Sequence, residues 1–200
     1  MKDRRIWTVG FVLLAIVCTA FTSPDKGQTK QKKLEVSFNY ERQNGPGSNQ
    51  YAVWIENANG EVVRTLFVTS FTTKGRARGN EPLVRGYIKR PACVPAWVKA
   101  VKADNLTDAE LDGFSGATPQ SNGRQSFTWD FTDQKGQAVP EGKYTVRVEA
   151  TLFNASTITY SGTFSTSDKT GNVALTSSIT EENESHKTMV TNVTAILTAK

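Results

Sequence analysis

Leu34-Glu35-Val36-Ser37-Phe38-Asn39-Tyr40 alternates apolar and polar side chains at every position. Successive side chains of a strand point to opposite faces of a sheet, so a period of two predicts a half-buried β-strand. Gly45-Pro46-Gly47 then breaks the chain. Tyr51 to Glu56 and Val62 to Thr69 are the next two strands, and they flank Asn57-Ala58-Asn59-Gly60. Asn and Gly tolerate the backbone of tight turns, which makes this pair a hairpin. Further strands are expected at Gln125 to Asp130, Lys143 to Phe153 and Ile158 to Ser165. A polar stretch from Ser167 to Lys187 precedes a last strand around Met189 to Leu197. No internal repeat is visible, and the pattern is that of an all-β chain.

One stretch departs from it. Between Arg90 and Gly113, Pro95-Ala96-Trp97-Val98-Lys99-Ala100-Val101-Lys102 and Thr107 to Leu111 read as helical, with Thr107 or Asn105 as an N-cap. The expectation is one domain from 34 to 200, with a short helical insertion at about 91–112. About 180 residues suffice for a single real core.

The first 20 residues look like an export signal. Lys2, Arg4 and Arg5 precede an apolar run from Ile6 to Val17, and Cys18-Thr19-Ala20 supplies small residues for cleavage after Ala20. The run is shorter than the roughly 20 residues that a membrane span needs. A lipid anchor on Cys18 is disfavoured by Val17 before it, so a soluble periplasmic or secreted protein is expected. Residues 21–33 read as a polar linker. Once Cys18 is removed, Cys93 is the remaining cysteine, so no internal disulfide can form and the core must supply the stability. Cys93 lies between Pro91 and Pro95 and reads as a small buried hydrophobe. The single histidine, His186, sits in a polar stretch. That argues against Cys-His catalysis and against a zinc or haem site.

The mature chain holds 21 basic and 18 acidic residues, a mild excess. Lys74, Arg76, Arg78, Arg85, Lys89, Arg90, Lys99 and Lys102 face only Glu81 between 74 and 102. This stretch is either a solvated loop or a site for an anion or an acidic partner. Nucleic acid is not an expected partner of an exported chain without a recognition helix.

Trp129-Asp130-Phe131-Thr132-Asp133-Gln134-Lys135-Gly136-Gln137-Ala138-Val139-Pro140-Glu141-Gly142-Lys143-Tyr144 gives each residue a local role. Asp130 and Asp133 can accept from turn N–H groups, Gly136 and Gly142 can take positive φ, and Trp129 and Tyr144 can cover the turn. The segment resembles a hairpin of immunoglobulin-like domains of the flagellar hook-capping type. The fold expected is therefore an immunoglobulin-like β-sandwich. Two carboxylates alone are a weak calcium signal, and no metal is expected here.

Asp112-Gly113-Phe114-Ser115-Gly116-Ala117-Thr118 reads D-x-x-S-G-A-T. It resembles the acceptor motif of periplasmic flavin transferases, which join FMN through its phosphate to a threonine hydroxyl. By that resemblance Thr118 carries the flavin, and Asp112, Ser115, Gly116 and Ala117 present it. Small residues before an exposed hydroxyl suit entry into another enzyme's active site. The same residues also make an ordinary turn.

The chain from Leu34 to Ser165 further resembles the periplasmic family domain of unknown function 2271, through the hairpin strands, the Pro95-Ala96-Trp97 helix, the Ser-Gly-Ala-Thr loop and the Trp-Asp segment. The resemblance implies an electron carrier with covalent FMN, an FAD-dependent FMN transferase as partner, and a membrane electron-transfer protein of PepSY type. Phe114 and Trp97 are then candidates to stack on the flavin, or else core residues of the insertion. Arg85 and Arg90 are candidate partners of its phosphate. The main alternative is an immunoglobulin-like binding or scaffold module without cofactor. A hydrolase built on Ser115 or Ser161 lacks a credible base.

Overall fold

The computed structural model describes residues 32–44, 48–76, 79–82, 84–90, 92–152, 156–180 and 188–199. The export signal with Cys18, the linker up to residue 31, the Gly45-Pro46-Gly47 break, Asn154, Ala155 and His186 lie outside them.

The protein is an all-β sandwich with a helical insertion. The strands are β1 (Lys32–Tyr40), β2 (Asn49–Asn57), β3 (Val62–Thr69), β4 (Ser115–Gly116), β5 (Gly123–Trp129), β6 (Lys143–Leu152), β7 (Ser156–Ser165), β8 (Gly171–Asn172), β9 (Thr176–Thr180) and β10 (Val190–Ala199). One sheet has the order β5-β1-β10-β8 and the other β4-β3-β2-β6-β7-β9. All pairings are antiparallel except that of β4 with β3. β1 keeps the expected alternation, with Leu34, Val36, Phe38 and Tyr40 turned into the core between the sheets. It begins at Lys32, two residues inside the expected linker. The polar stretch after Ser167 contains β8 and β9, edge strands too short and too polar to carry a periodic signal.

β2 is buried on both faces, which is why Tyr51-Ala52-Val53-Trp54-Ile55 runs apolar without alternation. Tyr51, Val53 and Ile55 meet the first sheet, whereas Ala52 and Trp54 meet the insertion. That insertion fills the chain between β3 and β4. It comprises α1 (Ser70–Thr73), α2 (Pro95–Val101), a 3₁₀ turn at Ala103–Asn105 and α3 (Asp108–Phe114). α2 starts four residues after the expected 91 and α3 ends two residues after the expected 112, while α1 is an earlier helical turn outside the expected bounds. Thr107 is the N-cap of α3, and it forms a capping box with Glu110.

Polar groups on the outer face of the second sheet hold the insertion. Val94, Ala96 and Trp97 open α2, and no side chain of their own caps it. The buried carboxylate of Glu149 on β6 accepts from Ala96 N (3.0 Å) and Trp97 N (2.9 Å), and Thr151 Oγ1 accepts from Val94 N (3.3 Å). Trp97 Nε1 donates to Thr65 Oγ1 on β3 at 3.1 Å. Burial pushes the Glu149 carboxyl up to about 7 despite the two N–H donors, which pull the other way.

The Trp-Asp segment differs from its expected form. β5 pairs with β1 and β6 with β2, so residues 130–142 carry the chain from one sheet to the other instead of joining two neighbouring strands. Within them the chain does fold back as a small hairpin: Thr132 bridges Ala138, Asp133 N donates to Gln137 O at 2.7 Å and Val139 N to Phe131 O at 3.0 Å. Its local chemistry is as read. Asp133 Oδ1 accepts from Lys135 N (2.9 Å) and Gln137 N (2.8 Å), and Asp130 Oδ1 accepts from the Thr132 hydroxyl and N–H. Those bonds, the hydroxyl's first, hold the Asp130 carboxyl below its ordinary range. Gly136 has φ +78°, but Gly142 is not in the left-handed region, and a Cβ on it would meet nothing. The second left-handed residue of the segment is Phe131, φ +62°, whose ring stacks on Trp129 at 4.5 Å. Burial of an aromatic face holds a backbone conformation that glycine would otherwise supply.

Candidate functional site

The seven motif residues straddle three environments. Asp112, Gly113 and Phe114 are the last turn of α3, and Ser115 and Gly116 form β4 on the edge of the second sheet. Only Ala117 and Thr118 lie in open loop. The expected Ser-Gly-Ala-Thr loop is thus strand in its first two residues and loop in its last two. Phe114 is buried against Trp97, with ring centroids 5.9 Å apart and edge to face. Neither ring is free to stack on a ligand, because both form the apolar seam between insertion and sheet.

The middle of the motif is packed as well. Ser115 Oγ lies 2.9 Å from Thr73 Oγ1. A Cβ on Gly116 would stand 2.2 Å from Cε2 of Phe67, whose ring stacks on Tyr51 at 5.1 Å. Glycine at 116 therefore answers a steric demand of the core edge, quite apart from recognition by an enzyme. Asp112 is exposed and ion-paired with Lys74.

Thr118 is half-buried, and its hydroxyl has no hydrogen-bond partner among the described residues. Its carbonyl accepts from Gln120 Nε2 at 2.9 Å, and Gln120 Oε1 accepts from Arg42 Nη1 at 3.0 Å. Thr118, Ala117 and Gln120 form one wall of a cleft of about 270 Å³. Arg42, from the end of β1, and Arg76, from the turn after α1, line it together with Phe71 and Ser70. No carboxylate lines it among the described residues. Gln50, also lining it, is held underneath by the hydroxyls of Thr69 and Thr72, so the cleft has a rigid polar floor.

The basic stretch is divided. Lys74 is paired with Asp112, and Lys89 approaches Asp104 at 3.7 Å on the surface. The Arg90 guanidinium sits 4.2 Å above the Phe71 ring and packs so close to Gly75 that a Cβ there would be 2.4 Å from it. Gly75, at φ +76°, has a backbone that favours glycine, and a side chain there would also displace the Arg90 guanidinium. Arg85 lines a separate depression with Lys74, Val84, Asp108 and Asp112. Neither Arg85 nor Arg90 lines the cleft of Thr118. Arg42 does, and no local pattern marked it, because it lies 76 positions before Thr118 in the chain. Cys93 is buried, and that burial pushes its thiol up, away from the thiolate form that nucleophilic attack uses. Among the described residues no group of His, Cys, Asp and Glu could hold a metal ion.

Fold and site together define a β-sandwich that presents a loop threonine beside a basic cleft. The family domain of unknown function 2271, described as a predicted periplasmic protein, matches this chain over residues 33–181, and the chain belongs to it. The periplasmic assignment agrees with the export reading. No curated protein and no solved structure matches the chain.

Proposed function

We propose that this protein is an exported carrier of covalent FMN, attached through a phosphoester to Thr118, that serves electron transfer outside the cytoplasm. The observation that supports it is a threonine in a D-x-x-S-G-A-T setting whose hydroxyl is unengaged among the described residues and borders a cleft with two arginines and no carboxylate. Such surroundings fit an anionic group on Thr118. Thr118 Oγ is the nucleophile on the FMN-side phosphorus of FAD. A new P–O bond forms there, the bond to AMP breaks, and the hydroxyl proton leaves with AMP. The attached FMN supplies the redox chemistry. The chain's own part is to hold the loop, through Gln120 on the Thr118 carbonyl and β4 on β3, so that the flavin is displayed at one end of the sandwich. An FAD-dependent FMN transferase and a membrane electron-transfer protein of PepSY type are the corresponding partners.

Co-expression with a matching transferase tests the reading. The exported protein is expected to keep flavin fluorescence through a denaturing gel and to gain the mass of one FMN less water on the peptide containing Thr118. Thr118→Val removes the hydroxyl at nearly constant shape and abolishes the adduct. A colourless wild type, under conditions that load a control substrate, refutes the carrier and leaves the scaffold module in its place.

A further inference from the structure

We infer that Arg42 and Arg76 form a seat for the phosphodiester on Thr118; the inference rests on the flavin reading above. A group esterified to Thr118 has its phosphorus one bond from Oγ, so it lies beside the cleft that Thr118 lines. A phosphodiester carries one negative charge on two non-bridging oxygens, and arginine offers planar, charge-assisted donors to such oxygens.

Arg42 is tied to the acceptor loop by hydrogen bonds, whereas Arg76 lines the cleft as an exposed side chain. Arg42 N donates to Asn122 Oδ1 at 2.8 Å, which anchors the end of β1 to the strand beside it. One of its guanidinium donors reaches Gln120, the side chain that also holds the Thr118 carbonyl, so a single amide sets the distance between cation and acceptor loop. The other donors of the fork remain for a ligand. Arg76 follows Gly75, against which the Arg90 guanidinium packs above the Phe71 ring. The nearest motif carboxylate, Asp112, is neutralised by Lys74 and lines the neighbouring depression. At about 270 Å³ the cleft falls just below the usual size of pockets that enclose a whole ligand. It suits a phosphodiester and part of a ribityl chain, with the ring system outside.

Phosphorus NMR of the flavin-loaded protein reads this directly. In wild type the phosphodiester resonance is expected to be displaced from its position in denaturant. The displacement should be lost in the loaded fraction of an R42Q/R76Q double variant, and in wild type at molar salt, where ion pairing is screened. A native resonance at the denatured position, or a displacement that survives both changes, overturns the seat and leaves the flavin reading standing. A wild-type chain whose intact mass shows no FMN overturns both. If the double variant takes up no flavin, the salt titration of loaded wild type decides alone, and a salt-independent resonance refutes the seat.

Discussion

The Trp-Asp segment, 129–144, and the acceptor segment, 112–118, are both short, glycine-containing and motif-like, yet they are held in different ways. In the first, most bonds close within the segment: Asp133 caps its own turn, Trp129 Nε1 donates to Thr132 O at 2.7 Å, and Tyr144 donates to Pro140 O at 2.6 Å. In the second, the restraints come from distant parts of the chain. Lys74 pairs with Asp112, Thr73 with Ser115, Phe67 with Gly116, and Arg42 with Thr118 through Gln120. A locally closed motif keeps its shape wherever it is placed. A motif closed by tertiary contacts is positioned by the rest of the fold, which suits a loop whose hydroxyl must meet a partner.

The largest effect expected on this comparison is at Trp129, which packs on Phe131, Tyr144 and Phe164. Trp129→Ala is expected to cost about 3–5 kcal/mol, as for other large-to-small core changes. A melting temperature near wild type would mean that the segment's self-closure does not depend on its aromatic cover.

The anchoring of the insertion is expected to be pH-dependent. Glu149 has an ordinary pKa of 4.5 and a folded value of about 7. Below pH 4.5 both states are protonated and the stability is complete. As pH rises from 4.5 to 7 the unfolded chain ionises first, so stability falls, by about 3 kcal/mol, and levels off above 7. Denaturant midpoints across this window should therefore decrease with pH, and Glu149→Gln should flatten the trend. An unchanged slope in that variant would assign the effect to other groups.

The glycines sharpen the contrast further. Gly116→Ala drives a Cβ into Phe67 and is expected to destabilise by about 1–3 kcal/mol through overpacking. Gly142→Ala meets nothing and has no left-handed backbone to strain, so it should stay within about 0.5 kcal/mol. Equal melting temperatures for the two variants would break the distinction.

A small effect on stability is also expected at Asp112. Its pair with Lys74 is exposed on the carboxylate side, and such pairs contribute about 1 kcal/mol or less. Asp112→Ala should therefore melt close to wild type while lowering FMN loading. Full loading would remove Asp112 from transferase recognition.

By itself the sequence determined the strands with strong periodicity, the Asn57–Gly60 hairpin and the turn chemistry of Asp133, and it narrowed the cap of α3 to Thr107 or Asn105. Each depends on residues within a few positions of one another, where propensity and hydrogen-bond reach are decisive. It also singled out Thr118, through the resemblance of Asp112 to Thr118 to a flavin acceptor motif. Tertiary structure alone decided that residues 130–142 cross between sheets, since strand pairing is set by faces buried far apart in sequence. It alone buried Phe114 and Trp97 together and placed Glu149 under α2, where a charged residue in a strand carries no local sign of its partner. And it alone brought Arg42 to Thr118: β1 ends where β5 begins, and their antiparallel register carries Tyr40 opposite Gly123, next to the acceptor loop. Charge assembled across sheets is a property of the fold, and no window along the chain contains it.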